Sequence, residues 1–316
     1  MEYLNSEEVD FAAYLKATET QEKIREARVY LEKLKNDLLN PKVVTKITMP
    51  WGSMLNQFDF KAGEVTLYAG GNGGGKSLIT GQIAMSLVKQ NQKVCLMSFE
   101  MKPERTLERM TRQFSCEDLS NPLLANRKNV IVNSMDRLMK FTDKKMWLYD
   151  QQGTVTSDQV IAVSRYCAME LKINHIFIDS LMKCVRGEDD YNSQKYFIDE
   201  LTALARDHQV HIHVVHHIRK GDKVSDMPNK FDIRGASAIT DMVDNVFIVH
   251  RNKAKELERK QNKTVDLNKA DTILMCEKQR NGEFEEHYHL WYHKESQQFI
   301  DDVNGVPMAF DTEGGF

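Results

Sequence analysis

The sequence predicts an α/β fold: a mainly parallel sheet flanked by helices and preceded by an N-terminal helical arm. Three observations carry this prediction. From about Ile47 to Ile300, short apolar runs alternate with longer stretches of helical periodicity. A glycine-rich loop joins one such run directly to one such helix. Residues 1–45 follow another pattern, with a charged, glycine-free segment from Glu22 to Leu39. The chain has 316 residues, enough for one large domain or two small ones at roughly 150 residues each. Three parts are expected: an arm over 1–45, a core over 46–300 and an acidic tail over 301–316.

In the arm, Ile24, Ala27, Leu31, Leu34 and Leu38 recur at three- and four-residue steps. They form a narrow apolar stripe on one helix, stopped at Asn40-Pro41. Such a stripe packs either on its own domain or in a neighbouring subunit's groove. Residues 2–16 read as a weaker helix. In the core, the strand-like runs are Val65–Ala69, Val94–Phe99, Met146–Tyr149, His175–Asp179, Ile212–Val215, Asn245–Val249, Thr272–Cys276 and His287–Trp291. Helical periodicity fills Lys76–Lys89, Pro103–Phe114, Ser157–Leu171 and Gln194–His208. The last strands follow one another without a long helix, so an antiparallel extension is expected there. After Lys294 no basic residue remains, and the ending DDVNGVPMAFDTEGGF finishes on Phe316.

Hydrophobic residues at 41% and charged residues at 28% suit a folded globular chain and exclude wholesale disorder. A formal net charge of −3 excludes a global positive field, so any nucleic-acid contact must come from local basic loops. Cys95, Cys116, Cys167, Cys184 and Cys276 are scattered without a C-x-x-C pair, which argues against a zinc ribbon or a disulfide framework. No apolar run approaches the ~18 residues of a membrane span, and the acidic N-terminus is unlike a signal peptide. A soluble, cytoplasmic protein is expected.

Gly70-Gly71-Asn72-Gly73-Gly74-Gly75-Lys76-Ser77 satisfies G-x-x-x-x-G-K-[S/T], after a strand and at the start of a helix. Glycines let successive backbone N–H groups turn inward around phosphates, and the helix N-terminus adds partial positive charge. Lys76 is placed to reach the β/γ-phosphates and the Ser77 hydroxyl to ligate Mg²⁺. Asp179, ending the apolar run HIFID, fits the carboxylate that holds the same ion through water. Glu100 ends the strand after the phosphate-loop helix, beside the phosphates of a parallel sheet, and suits the base that orients attacking water.

Four histidines, His211, His213, His216 and His217, crowd one strand. Alternation sends His211 and His213 to the face opposite His216, and no cysteine or acid cluster completes a zinc site. His217, at the strand's end, is placed to contact the γ-phosphate and report its loss. A basic stretch follows: Arg219, Lys220 and Lys223, then Lys230 and Arg234. It is either a solvated loop or one that grips a phosphate backbone.

Taken together, these segments resemble the motor domain of hexameric replicative helicases, the DnaB/Twinkle group that includes bacteriophage primase–helicases. The segments are the phosphate loop, S-F-E-M (98–101), I-D-S-L (178–181), V-V-H-H-I-R-K (214–220), D-I-R-G-A-S-A-I (232–239), H-R-N (250–252) and E-K-Q-R-N-G-E (277–283). They occur in the family's order over roughly residues 45–300. The resemblance implies a RecA-like P-loop NTPase core that hydrolyses ATP or another (d)NTP with Mg²⁺. It implies Glu100 as catalytic glutamate, Asp179 as the Mg²⁺-associated aspartate and His217 as γ-phosphate sensor. Lys278 and Arg280 match the basic pair that reaches the next subunit's nucleotide, and Arg251 and Tyr292 resemble residues flanking the base. Arg219, Lys220, Lys223, Lys230, Arg234 and Gly235 fall in the central DNA-binding loops, with Lys183 and Arg186 near another.

An arginine supplied in trans neutralises charge that develops during phosphoryl transfer, worth ~10³–10⁵ in rate. Hydrolysis then depends on assembly. The resemblance implies a homo-oligomeric ring, a hexamer by analogy, on single-stranded and fork DNA with 5′→3′ polarity. No primase-type zinc module precedes the motor in this sequence, so a separate primase, and a polymerase or loader, are expected partners, as in bacteriophage or bacterial replication in the host cytoplasm. The family's linker helix favours docking of the 22–39 helix on a neighbour, and the tail resembles partner-docking tails. Three rivals remain: a RecA/RadA-like recombination ATPase or mediator that binds DNA without unwinding, a monomeric nucleotide kinase and a non-catalytic NTP-gated loader.

Overall fold

The computed structural model describes residues 2–4, 10, 13–14, 26–40, 45–185, 190–218, 227–233 and 235–311. The expectations for Arg186, Arg219, Lys220, Lys223, Arg234 and Phe316 lie outside the described residues.

One ten-stranded sheet organises the chain. Its strands are β1 (Glu2–Leu4), β2 (Val65–Gly70), β3 (Val94–Ser98), β4 (Met146–Tyr149), β5 (His175–Asp179), β6 (His211–His217), β7 (Asn245–Arg251), β8 (Thr272–Gln279), β9 (His287–His293) and β10 (Gln298–Ile300). The order is β1-β4-β3-β5-β6-β2-β7-β8-β9-β10. Pairing is parallel from β1 through β7 and antiparallel from β7 through β10; the antiparallel extension expected for the last strands already begins at β8, which follows β7 after the short helix of Lys253–Lys260.

The helices are α1 (Ala27–Leu39), α2 (Lys76–Lys89), α3 (Pro103–Ser115), α4 (Arg127–Thr142), α5 (Ser157–Met169), α6 (Tyr191–His208), α7 (Ala236–Met242) and α8 (Lys253–Lys260). Strand alternation divides the core between the two faces of the sheet. Val65, Leu67 and Ala69 pack with residues of α5 and α6 on one face. Tyr68 on the other face joins residues of α2, α3 and α4 together with Met49, Trp51 and Phe58. A strand covered on both sides needs apolar residues at nearly every position, and β2 is buried throughout.

Three elements differ from the sequence reading. Glu2–Leu4, expected within a weak helix, is a strand on the edge of β4, in register with Trp147, Leu148 and Tyr149. It completes the hydrogen bonds of an edge that would otherwise stand open. The arm also touches the core at Tyr14, whose carbonyl accepts from Arg165 at 2.5 Å and whose ring meets Tyr166 edge-on. α4 escapes the periodicity because Asn129, Asn133, Ser134 and Thr142 dilute its pattern, and only Ser134, Leu138 and Thr142 are buried. The segment after residue 300, read as a separate acidic tail, folds back onto the core as far as Asp311. Phe310 is 1% exposed beside Phe141, and Arg137 grips Asp311 through two hydrogen bonds of 2.9 and 2.6 Å.

α1 buries no residue, so its stripe does not pack on its own domain. Leu31, Leu34 and Leu38 are 63%, 53% and 72% exposed. The strand histidines divide by face as alternation predicts. His211 Nε2 meets the Thr66 hydroxyl at 2.8 Å, and its Nδ1 donates to the Lys61 carbonyl at 2.7 Å. His213 bridges Tyr68 and His175, each at 3.1 Å. Burial pushes all three rings, His175, His211 and His213, below the usual histidine range.

Candidate active site at the carboxyl ends of the central strands

Parallel pairing brings the carboxyl ends of β2, β3, β5 and β6 to one side of the sheet. Gly70 stands opposite His217, and Ser98 opposite Asp179. The loop 70–77 turns there between β2 and α2. Glycine is required at two points. A Cβ on Gly70 would lie 2.7 Å from the Val249 carbonyl oxygen, and Gly75, at φ +94°, has the Phe299 ring 3.1 Å from where a Cβ would stand.

Behind the loop lies a cleft of about 670 Å³ lined by Asn72, Gly73, Gly74, Gly75, Lys76, Ser77, Glu100, Asp179 and His217, with Leu78 and Arg109. The Lys76 ammonium donates to the carbonyls of Gly70 and Gly71 at 2.9 and 3.0 Å and stands 3.4 Å from His217 Nδ1. Burial lowers its pKa, against the raising influence of Asp179 and Glu100. The Ser77 hydroxyl donates to Asp179 Oδ2 at 2.6 Å. Burial raises the Asp179 pKa, an environment that a cation would relieve. A hydroxyl and a carboxylate side by side are hard oxygen donors of the kind Mg²⁺ takes, so the residues present fit that ion.

Glu100 sits two residues beyond β3. Its Oε1 accepts from the Ser180 hydroxyl at 3.0 Å and lies 3.8 Å from His217 Nε2. The adjacent His217 ring, together with Ser180 and the charge of Lys183, holds this carboxyl at about 2. It is therefore an ionised acceptor at neutral pH, as activation of a water requires.

Beside the loop a second cleft of about 620 Å³ is lined by Gly73, Gly74, Gly75, Leu78, Arg251, Tyr292 and Phe299, with Asn252, Glu256, Arg259, Asp271 and Thr272. Arg251 donates to the Gly73 carbonyl at 2.9 Å and pairs with Glu256 at 3.1 Å. Tyr292 and Phe299 present neighbouring rings, 5.4 Å between centroids. Flat rings and a guanidinium beside a phosphate loop are the groups that could stack on a nucleotide base.

Lys278 and Arg280 stand elsewhere. β8 runs antiparallel to β7, so Lys278 lies opposite Val246, whereas the loop end of β2 lies opposite Val249. Neither residue lines either cleft. Lys278 Nζ donates to the carbonyls of Thr240, Asp241 and Val243, and Arg280 to Asp241. Lys278 is on β8, which ends at Gln279, and Arg280 sits just past it.

Of the expected DNA-contact residues, Lys183 closes a single 3₁₀ turn after β5 (Leu181–Lys183). The Lys230 backbone N–H donates to Glu277 at 3.2 Å. Gly235 caps the N-terminus of α7 at φ +71°, where a Cβ would meet Gln194 Oε1 at 2.7 Å.

The sequence reading missed Arg109, Asp244, Glu256, Arg259, Asp271 and Phe299. Arg109 looks like any solvated helix cation, and Asp271, which holds Lys255 and Arg259 by ion pairs, lies in a polar turn without periodicity. Only the fold brings these residues to the clefts or, for Asp244, to Arg280.

A parallel α/β sheet with a phosphate loop, a half-buried hydroxyl–carboxylate pair and an ionised glutamate defines a P-loop NTPase. Residues 54–301 match the family model described as the DnaB-like helicase C-terminal domain, and the chain belongs to that family. It is thus a member of a family of NTP-hydrolysing helicases that work in DNA replication. Two solved structures share the fold. One is titled "The Structure Of A DnaB-Like Replicative Helicase And Its Interactions With Primase". It has 14% identity and a TM-score of 0.69, with 92% of this chain and 70% of that one covered. The other is described as an ATPase domain and has 14% identity and a TM-score of 0.70, with 87% and 98% covered. Among the described residues no helix is long and apolar enough to cross a membrane.

Proposed function

We propose that this chain is the motor of a ring-forming, Mg²⁺-dependent NTPase that translocates 5′→3′ on single-stranded DNA and separates duplex at a fork. One observation carries the proposal. The nucleotide cleft gathers Lys76, Ser77, Asp179, Glu100 and His217, while Lys278 and Arg280 are held at the other end of the sheet. A centre that uses those two cations must take them from a second copy.

NTP enters with its base between Arg251 and Tyr292 and its phosphates on the loop. Lys76 exchanges its carbonyl partners for phosphate oxygens. Ser77 and Asp179 are the residues that hold Mg²⁺, which supplies charge neutralisation on the phosphates when bound. Glu100 accepts the proton of the attacking water, and Arg280 of the neighbour stabilises the charge that develops. His217, the last residue of β6, touches Lys76 and leads directly into the 219–235 region, where Arg219, Lys220, Lys223, Lys230 and Arg234 grip the DNA backbone. Lys183 and Arg186 flank that path. The exposed stripe of α1 docks on the next subunit, where the outer face of α4 offers Val132, Met135 and Met139, each about half exposed. A hexamer in host or bacterial cytoplasm, served by a separate primase and by a polymerase or loader, is the working form.

The test is NTP hydrolysis with and without single-stranded DNA, alongside electron microscopy with a non-hydrolysable nucleotide. Closed rings, DNA-stimulated turnover lost in Lys76→Ala, and fork unwinding are expected. Open filaments that pair homologous strands would favour the RecA/RadA-like reading, and full turnover by single molecules would remove the motor reading altogether.

A further inference from the structure

We propose that Asp244 is a positioning residue: it holds Arg280 in the orientation from which that arginine serves the neighbouring subunit. The inference rests on the reading that Arg280 acts in trans, and it names what aims it.

Asp244 lies between α7 and β7 and is 3% exposed. Its two oxygens do different work. Oδ2 accepts from the Val65 backbone N–H at 2.9 Å, which fixes the carboxylate to the start of β2. Oδ1 faces the Arg280 guanidinium at 3.1 Å, with Arg206 farther away at 3.7 Å. The Arg280 backbone N–H donates to the Asp244 carbonyl at 2.9 Å, and its side chain donates to the Asp241 carbonyl at 2.6 Å. A buried carboxylate needs a cationic partner, whereas a free arginine spends its time among many rotamers. The pair meets both conditions: it neutralises Asp244 and restricts Arg280 to the few rotamers that reach Asp241.

The platform has a second property. The carbonyls that hold Lys278 and Arg280 belong to Thr240, Asp241, Met242 and Val243, the carboxyl end of α7. α7 (Ala236–Met242) is preceded by Gly235, which in the sequence directly follows Arg234 of the basic stretch proposed to grip DNA.

Asp244→Asn separates the two functions of the carboxylate. The amide oxygen keeps the Val65 N–H, which leaves the amide N–H₂ facing the guanidinium, donor against donor. We expect DNA-stimulated kcat to fall about 10- to 100-fold, less than the ~10³-fold or more for loss of the arginine, with nucleotide KM unchanged within about twofold. In the Arg280→Ala background the same substitution should change nothing further. Mixing Asp244→Asn subunits with excess Glu100→Gln subunits should restore turnover, because each intact centre then faces a well-held arginine. If the Asn variant does not assemble, the cycle is read in Asp244→Glu, whose displaced carboxylate should give a smaller loss with the same rescue.

Wild-type kcat in these variants, or a loss that adds to Arg280→Ala, overturns the proposal. So does a loss that Glu100→Gln subunits fail to restore while they do restore Arg280→Ala, since the role of Asp244 is then structural. If Arg280→Ala itself is not restored by mixing, the trans reading fails first, and the two failures are distinct.

Discussion

The His217 imidazole stands between the two opposite charges of the phosphate cleft, 3.4 Å from the Lys76 ammonium and 3.8 Å from the Glu100 carboxylate. The strand β6 that carries it is hydrogen-bonded to β2, which feeds the phosphate loop. One ring thus lies beside both the Lys76 ammonium and the Glu100 carboxylate, the arrangement on which the proposed γ-phosphate sensing by His217 rests.

This contact predicts a pH signature. His217 is the foremost reason that Glu100 sits at about 2 rather than 4.5. In the wild type, Glu100 stays ionised throughout the usual assay range and does not set the acid limb of hydrolysis. In His217→Ala the carboxyl should move up toward the ordinary range, so an acid limb should appear on kcat near 4–5, together with lower turnover. Glu100→Gln should lose about 10²–10⁴-fold in kcat while it retains nucleotide binding. An unshifted acid limb in His217→Ala would refute the coupling.

The buried histidines make folding itself pH-dependent. Burial holds His211 at about 4 and keeps His175 and His213 well below 6.5. Their folded pKa values lie below the unfolded value, so the unfolded chain takes up protons first. Stability is full above 6.5 and falls as pH drops toward 4. From His211 alone the loss is about 3 kcal/mol across that window, at about 1.4 kcal/mol per unit. Urea midpoints at pH 7, 6 and 5 should decline steadily, and equal midpoints would contradict the neutral triad.

Removal of the returned C-terminal segment should cost core energy. Phe310→Ala leaves a cavity beside Phe141 and should destabilise by about 3–5 kcal/mol. Arg137→Ala breaks the bidentate pair with Asp311 and should cost less. Denaturant unfolding of the monomeric domain measures both, and a Phe310→Ala midpoint equal to wild type would mean that the segment does not dock.

The exposed stripe of α1 should matter only in assembly. Leu31→Glu with Leu34→Glu touches no buried residue, so the unfolding midpoint should hold. Particle mass with a non-hydrolysable nucleotide should fall from that of the ring to that of smaller species.

Neutralising Lys220 and Lys223 should flatten the salt dependence of single-strand binding, by about 0.7 in log–log slope for each phosphate no longer neutralised. An unchanged slope excludes them from the interface.

Much of this protein could be read in one dimension. The phosphate loop, Asp179 and Glu100 declare themselves because each sits at the end of an apolar run, and in a parallel sheet all such ends lie together. The helix of Lys76–Lys89 was legible from end to end, since it is apolar on nearly all sides and opens on the loop. Glu2–Leu4, by contrast, carries no signal of its own and becomes a strand because β4 has an unfilled edge. The last residues read as a tail because they are acidic and glycine-rich, yet Phe310 is buried beside Phe141 of α4.

What the sequence by itself determined is the chemistry, because phosphate binding demands particular residue types at fixed local spacing. What only the tertiary structure decided is who partners whom across long separations. Asp244 meets Val65 and Arg280, and Asp271 gathers Lys255, Arg259 and the Tyr292 backbone, in contacts set by strand order rather than by neighbouring residues. The antiparallel pairing of β8 with β7 likewise carries Lys278 and Arg280 away from their own nucleotide cleft. No local pattern encodes that separation, because it arises from the direction in which a strand is laid against its neighbour.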